Sequence, residues 1–179
     1  MISSARLQLL ALASLTLSAP ALATTPSFSS STGGFSAAFP TAPVVEARNF
    51  FSPVGPLPAT VFSSNLSAGT FAVSFTDFSS VGGQTAAARL QLAANAQVDG
   101  QGGKLLYTKP VTLGAAPGLE VSSLITGQGG AMYVYTFRDY LVGNRLYQVS
   151  VATAQGSNQT IAETQALLNS FQLTATKGN

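Results

Sequence analysis

Hydrophobic positions along this chain switch repeatedly between a two-residue and a helical period, and each switch marks an element. Phe35, Ala37 and Phe39 alternate with small residues as a strand does, and Pro40 stops them. Val45, Ala47 and Asn49 repeat the pattern and run on into Phe50 and Phe51. A proline-rich bend at Pro53, Pro56 and Pro58 follows, and Thr60 to Phe62 is predicted as a separate short strand. From Thr70 to Thr76 the alternation is cleanest, with Phe71, Val73 and Phe75 on one face and only Thr, Ala and Ser on the other.

Gly82-Gly83 breaks that pattern, and the period then lengthens. Ala86, Leu90, Ala93, Ala94 and Val98 fall at helical spacing with Arg89, Gln91 and Gln97 off the stripe, which predicts an Ala-rich helix over Gln84 to Val98. The turn Asp99 to Gly103 ends it. Strands return next. Lys104 to Leu113 places Leu105, Tyr107, Val111 and Leu113 on one face, with Pro110 marking an edge or a bulge. Leu119 to Ile125 and Leu146 to Val151 alternate, and Tyr133, Tyr135 and Phe137 make an aromatic face between them. Gly143-Asn144 is a two-residue hairpin signal. Thr160 with Glu163 forms a capping box for a second helix whose Ile161, Leu167 and Leu168 face the core, and Phe171 and Leu173 close with a short strand. Strands, helix, antiparallel strands and helix in that order predict an α+β domain, an antiparallel sheet flanked by helices.

The first residues follow a different logic. Arg6, an apolar run over Leu7 to Leu17 and the exit Ala21-Leu22-Ala23 have the layout of a signal peptide over residues 1–23. The apolar run is too short to span a bilayer of roughly 30 Å. No cysteine follows it for lipid attachment. Cleavage at about Ala23 removes 23 of 179 residues, leaving a 156-residue exported protein, periplasmic or secreted, with no membrane span. Residues 24–34 (TTPSFSSSTGG) offer little to pack and are expected to be a flexible leader. Residues 35–174 are expected to form one domain, and 175–179 a polar tail.

Composition then removes most chemistry. The chain has no Cys, no His and no Trp. Those zeros exclude a Ser-His-Asp triad, a cysteine nucleophile, a disulfide and an imidazole base or metal ligand. Charged residues make up 8% of the chain, against roughly 25% in an average domain, and eight Lys/Arg against six Asp/Glu give no basic footprint for nucleic acid. No cofactor motif is present. Gly114-Ala115-Ala116-Pro117-Gly118 lacks the Lys-Ser/Thr of a phosphate loop and leads into a strand.

Four segments resemble the PsbP-like superfamily. They are Phe35-Ser36-Ala37-Ala38-Phe39-Pro40, Gly114-Ala115-Ala116-Pro117-Gly118-Leu119-Glu120, Asn144-Arg145-Leu146-Tyr147-Gln148-Val149 and Leu168-Asn169-Ser170-Phe171-Gln172-Leu173, spread from Phe35 to Leu173. That superfamily includes the extrinsic lumenal protein of photosystem II and many small exported bacterial proteins. The resemblance implies an α-β-α sandwich and a non-catalytic binding or accessory role. It carries over no functional residue, and a photosynthetic role does not follow, because this chain lacks His and its carboxylates are scattered.

The candidate residues are few. Tyr140, off the aromatic face and near the turn, is expected to be exposed and is a ligand-binding candidate together with Glu120, Arg138 and Arg145. Glu120 is expected to pair across strands with Arg138 or Arg145. The leading reading is an exported, non-enzymatic domain that binds a protein or small ligand of the cell envelope on its sheet face or in a sheet-helix groove. The alternative is a hydrolase. It would use a carboxylate pair from Asp77, Glu120 and Asp139, or a Ser-Lys dyad built on Lys104, Lys109 or Lys177.

Overall fold

The computed structural model describes residues 27–52, 55–77 and 84–174, so the expected signal peptide and polar tail lie outside the described residues. The elements are β1 (Ser27–Ser30), β2 (Phe35–Ala38), β3 (Val44–Ser52), β4 (Gly55–Leu66), β5 (Gly69–Asp77), α1 (Ala86–Gly100), β6 (Lys104–Leu113), β7 (Ala116–Thr126), β8 (Met132–Val142), β9 (Arg145–Ala154), α2 (Ile161–Asn169) and β10 (Gln172–Leu173). Seven strands form one antiparallel sheet in the order β3-β4-β5-β9-β8-β7-β6, and β1-β2-β10 form a second, small sheet. The chain is an α-β-α sandwich, as the sequence pattern and the resemblance implied.

Each face of the large sheet has its own core. On one face Leu90, Ala93, Ala94 and Val98 of α1 pack on Leu119, Val121, Tyr135, Phe137, Leu141 and Leu146. Alanines on the helix let it sit close, and α1 touches both β3 and β7, so the sheet curls around it. On the opposite face Phe62, Phe71, Val73, Phe75, Tyr140, Tyr147, Val149 and Val151 meet the small sheet and Leu168 of α2. Aromatic rings dominate this second core, with Phe35 edge-on to Phe62 at 5.1 Å and Phe39 over Phe71 at 4.9 Å. Burial of such a side chain stabilises by roughly 1.5–3 kcal/mol. Gly69 marks the closest approach within the sheet, since a Cβ there would lie 1.8 Å from the carbonyl oxygen of Ala152.

Four expectations are corrected. The segment Thr24 to Gly34 is not a flexible leader throughout, because Ser27–Ser30 pairs antiparallel with β2 and Phe28 packs on Phe39 and Phe62 at 5.5 and 5.6 Å. The strand forms because one aromatic finds a non-local core, which local composition does not reveal. Phe28→Ala is therefore expected to cost about 2 kcal/mol in urea unfolding, short of a fully buried Phe; a loss near zero would restore the leader reading.

Prolines 56 and 58 do not bend the chain away from the sheet. They lie inside β4, where its only neighbour is β3, because the pairing with β5 begins at Ala59. There the missing N–H faces the free side. Leu105 and Tyr107 do not share a face, since a bulge between them shifts the register of β6 against β7. Ile161 does not face the core either: it is 83% exposed at the start of α2, while Leu168 is 1% exposed.

Candidate functional site

Arg138 stands opposite Glu120 across β7 and β8, and the choice between two arginines falls to it by register. Its Nε donates to Glu120 Oε2 at 2.6 Å, its Nη1 to Asn169 Oδ1 at 2.7 Å and its Nη2 to Gln165 Oε1 at 2.5 Å. The second Glu120 oxygen accepts from the Tyr107 hydroxyl at 3.0 Å and the Gln165 amide at 3.5 Å. Burial works to raise the Glu120 pKa, but the Arg138 guanidinium and these donors outweigh it and hold the carboxyl below its usual range. The pair ties the sheet to α2. All three guanidinium nitrogens of Arg138 are engaged within the protein, so it braces the site instead of presenting charge to a ligand.

Beside this pair, between α2 and the sheet, opens a groove of about 340 Å³. The sheet supplies Ser122, Val134, Thr136, Val151 and Thr153, the connection into α2 supplies Gln155, Gly156, Ser157 and Gln159, and α2 supplies Ile161, Thr164 and Gln165. None of these side chains is charged. Thr160 fixes the helix start that holds them: its hydroxyl accepts from the Glu163 N–H at 3.1 Å, while the Glu163 carboxylate accepts from the Thr160 N–H at 2.7 Å. Tyr107, 43% exposed, lines one lip and Ile161 the other. Large apolar side chains left in solvent at the mouth of a concave site are the usual mark of something that covers them.

A second cavity, also about 340 Å³, lies on the α1 side over small residues such as Ala72, Ser74 and Ala152. Its wall includes Tyr135 and Gln148, already engaged with one another: the Tyr135 hydroxyl donates to Gln148 Oε1 at 2.9 Å, and Gln148 Nε2 donates to Asp139 Oδ1 at 3.0 Å. Asp139 is 0% exposed and its Oδ2 has no partner. Burial pushes its pKa up to about 7, only partly offset by the Gln148 hydrogen bond. Burial likewise pushes the Tyr135 hydroxyl up to about 12.

The other sequence candidates fall elsewhere. Tyr140 is not exposed; at 3% exposure it stacks on Phe171 with ring centroids 6.0 Å apart. It does lie off the Tyr133–Phe137 face, but the opposite face is covered by the small sheet and α2. Arg145 pairs with Asp77 through two bonds of 2.6 and 2.8 Å, and its guanidinium sits 4.6 Å over the Phe75 ring. That salt bridge is largely exposed and is worth at most about 1 kcal/mol.

Among the described residues, the carboxylate pair of the hydrolase alternative does not assemble. Glu120 faces Arg138, so Asp139 next along β8 projects to the opposite face of the sheet. Asp77 on β5 is three strand spacings from Glu120 on β7, about 14 Å, beyond the reach of a carboxylate pair. Lys104 and Lys109 lie on exposed β6, and Lys177 is outside the described residues. Among the described residues, no three acidic side chains come together to hold a cation. No described helix is long and apolar enough to cross a membrane.

Sequence reasoning missed Tyr107, Ile161 and Gln165 as members of these sites, and offered Asp139 only for a carboxylate pair. Asp139 carried a readable signal, since it keeps the phase of Tyr135 and Phe137 on the aromatic face. The groove residues carried none, because the distant β6 and α2 meet only in the folded chain.

No protein-family model matches this chain, and no curated protein does. Among solved structures, it resembles the cyanobacterial PsbP (CyanoP) of Synechocystis sp. PCC 6803 with a TM-score of 0.57 at 12% identity, over 88% of this chain and 97% of that one. A protein of unknown function, PA94 of Pseudomonas aeruginosa, aligns with a TM-score of 0.42 at 11% identity over 66% of this chain and 85% of that one, a similarity too low to bear on the fold. The fold is PsbP-like.

Proposed function

We propose that this PsbP-like domain is a non-enzymatic binding or accessory domain, exported after cleavage near Ala23, whose ligand site is the groove between the sheet and α2. The observation that carries the reading is the groove itself: an open, uncharged cleft rich in hydroxyl and amide groups, with Tyr107 and Ile161 exposed at its lips. Such a lining suits a small uncharged ligand with an apolar side, held by hydrogen bonds to Ser, Thr and Gln. The neighbouring ion pair is saturated and supplies no reactive group. Export rests on the signal-peptide pattern of residues 1–23.

Filling the groove tests the reading. Thr164 is half-buried on the groove side of α2, so Thr164→Trp fills space without removing core. Ligand-observed NMR with a library of uncharged fragments should give hits whose affinity falls by at least about tenfold in Thr164→Trp, while Gln97→Trp on the α1 side leaves them unchanged. Hits lost in Gln97→Trp but kept in Thr164→Trp would place the site in the other cavity and overturn the proposal.

A further inference from the structure

We infer that the free edge of β6 docks an extended segment of a partner protein in which acidic and apolar residues alternate. The strand ends the seven-stranded order, so among the described residues one side of it has no strand neighbour and its outward backbone groups are available for pairing. Its exposed stretch is unusual in content. Leu105, Leu106 and Tyr107 are 48%, 51% and 43% exposed in succession, and Lys104 and Lys109 flank them. No ion pair engages either lysine among the described residues, whereas Arg48, Arg138 and Arg145 are each paired.

Register gives the pattern the partner must have. Lys104 stands opposite Leu124, Tyr107 opposite Ser122 and Lys109 opposite Glu120. All three therefore project to the α2 side of the sheet, and Leu105, opposite Ser123, projects to the other side. An added strand would set acidic side chains beside the two lysines and apolar ones beside Leu105, with Leu106 in the bulge at the seam. Lysines, a proline and a bulge ordinarily deter an edge from pairing with copies of itself. Here two copies paired antiparallel through the apolar stretch would bring Lys104 of one beside Lys109 of the other. That repulsion rejects self-association but leaves an acidic strand welcome. Pro110 has no N–H to offer, which confines the docking stretch to Lys104–Lys109, long enough for a strand.

This inference goes beyond the groove reading and survives if the groove binds nothing. The test uses two synthetic eight-residue peptides of equal composition, one alternating Glu and Val and one with the four Glu and four Val in separate blocks, added to the full mature chain at low salt. The alternating peptide should bind more tightly than the block peptide and protect the amides of β6 from hydrogen exchange. Lys104→Glu/Lys109→Glu should weaken it by at least about tenfold and gain affinity for an alternating Lys-Val peptide. Equal binding of the two peptides, binding indifferent to the charge reversal, or no binding at all would overturn the proposal. Sedimentation with phosphatidylglycerol-containing vesicles in place of peptide binding would do so too, by making the lysines a membrane contact.

Discussion

Replacing Arg138 by Met is expected to lower the unfolding free energy by about 3–5 kcal/mol, the cost of leaving a buried carboxylate without its cation. Glu120 is 3% exposed, and among the described residues its one ion pair is with the Arg138 guanidinium. Gln165 and Asn169 would lose their anchor in the same step, so α2 should lose hydrogen-exchange protection before the sheet does. For a domain of this size the melting temperature should fall by roughly 2–4 °C for each kcal/mol. The double variant Glu120→Leu/Arg138→Met should recover most of the loss, because it removes the buried charge together with its partner. A loss below about 1 kcal/mol, measured by urea unfolding, would show that the pair behaves like an exposed one and does not brace the groove.

Asp139→Asn should remove a pH dependence of comparable size. In the unfolded chain the carboxyl titrates near 3.8, and in the folded protein near 7. Between those values the folded form keeps a proton that the unfolded form has lost. Stability therefore falls as pH rises through this window, by about 1.4 kcal/mol per pH unit and on the order of 4 kcal/mol in all. Below pH 3.8 both forms are protonated and Asp139 contributes no dependence. Asp77 and Glu120 act with the opposite sign at low pH, since their pKa values are depressed in the folded state. The wild type should accordingly be most stable near about pH 4–5 and lose stability towards about pH 8, whereas the amide that replaces the carboxyl in the variant cannot ionise and leaves the upper limb nearly flat. Parallel curves for the two proteins from about pH 5 to 8 would mean that Asp139 does not titrate there.

Most of the framework is legible from local pattern because local pattern causes it. The stripe Leu90, Ala93, Ala94 and Val98 is the buried face of α1, and Thr160 caps α2 with Glu163 as its spacing demanded. Gly143 turns the β8–β9 hairpin with φ of 60°, a conformation that its lack of a Cβ permits. The failures share one cause. Phe28, Tyr140, Ile161 and the two prolines of β4 all depend on what covers a face or flanks a strand, which is decided by residues far away in sequence. Asp139, a candidate only for a carboxylate pair, lies instead beneath α1, as its phase with Tyr135 and Phe137 along β8 dictates. For the site, a cross-strand partner for Glu120 was legible by alternation as Arg138 or Arg145, and register decides for Arg138. The groove they support was not, since its walls come from β6 to β9 and from α2.

The low charge of the chain gains a clearer meaning from these pairings. Arg48, Arg138 and Arg145 are each neutralised in place, and the groove beside α2 is lined by uncharged side chains. The proposed binding by shape and hydrogen bonding stands or falls on the groove beside α2. A two-dimensional amide NMR titration of the mature domain with the best uncharged fragment should shift the signals of Thr136, Thr153, Ile161, Thr164 and Gln165 together and saturate at one affinity. Shifts confined to residues around Ala72, Gln97 and Tyr135, or no saturable shift with any fragment, would contradict it.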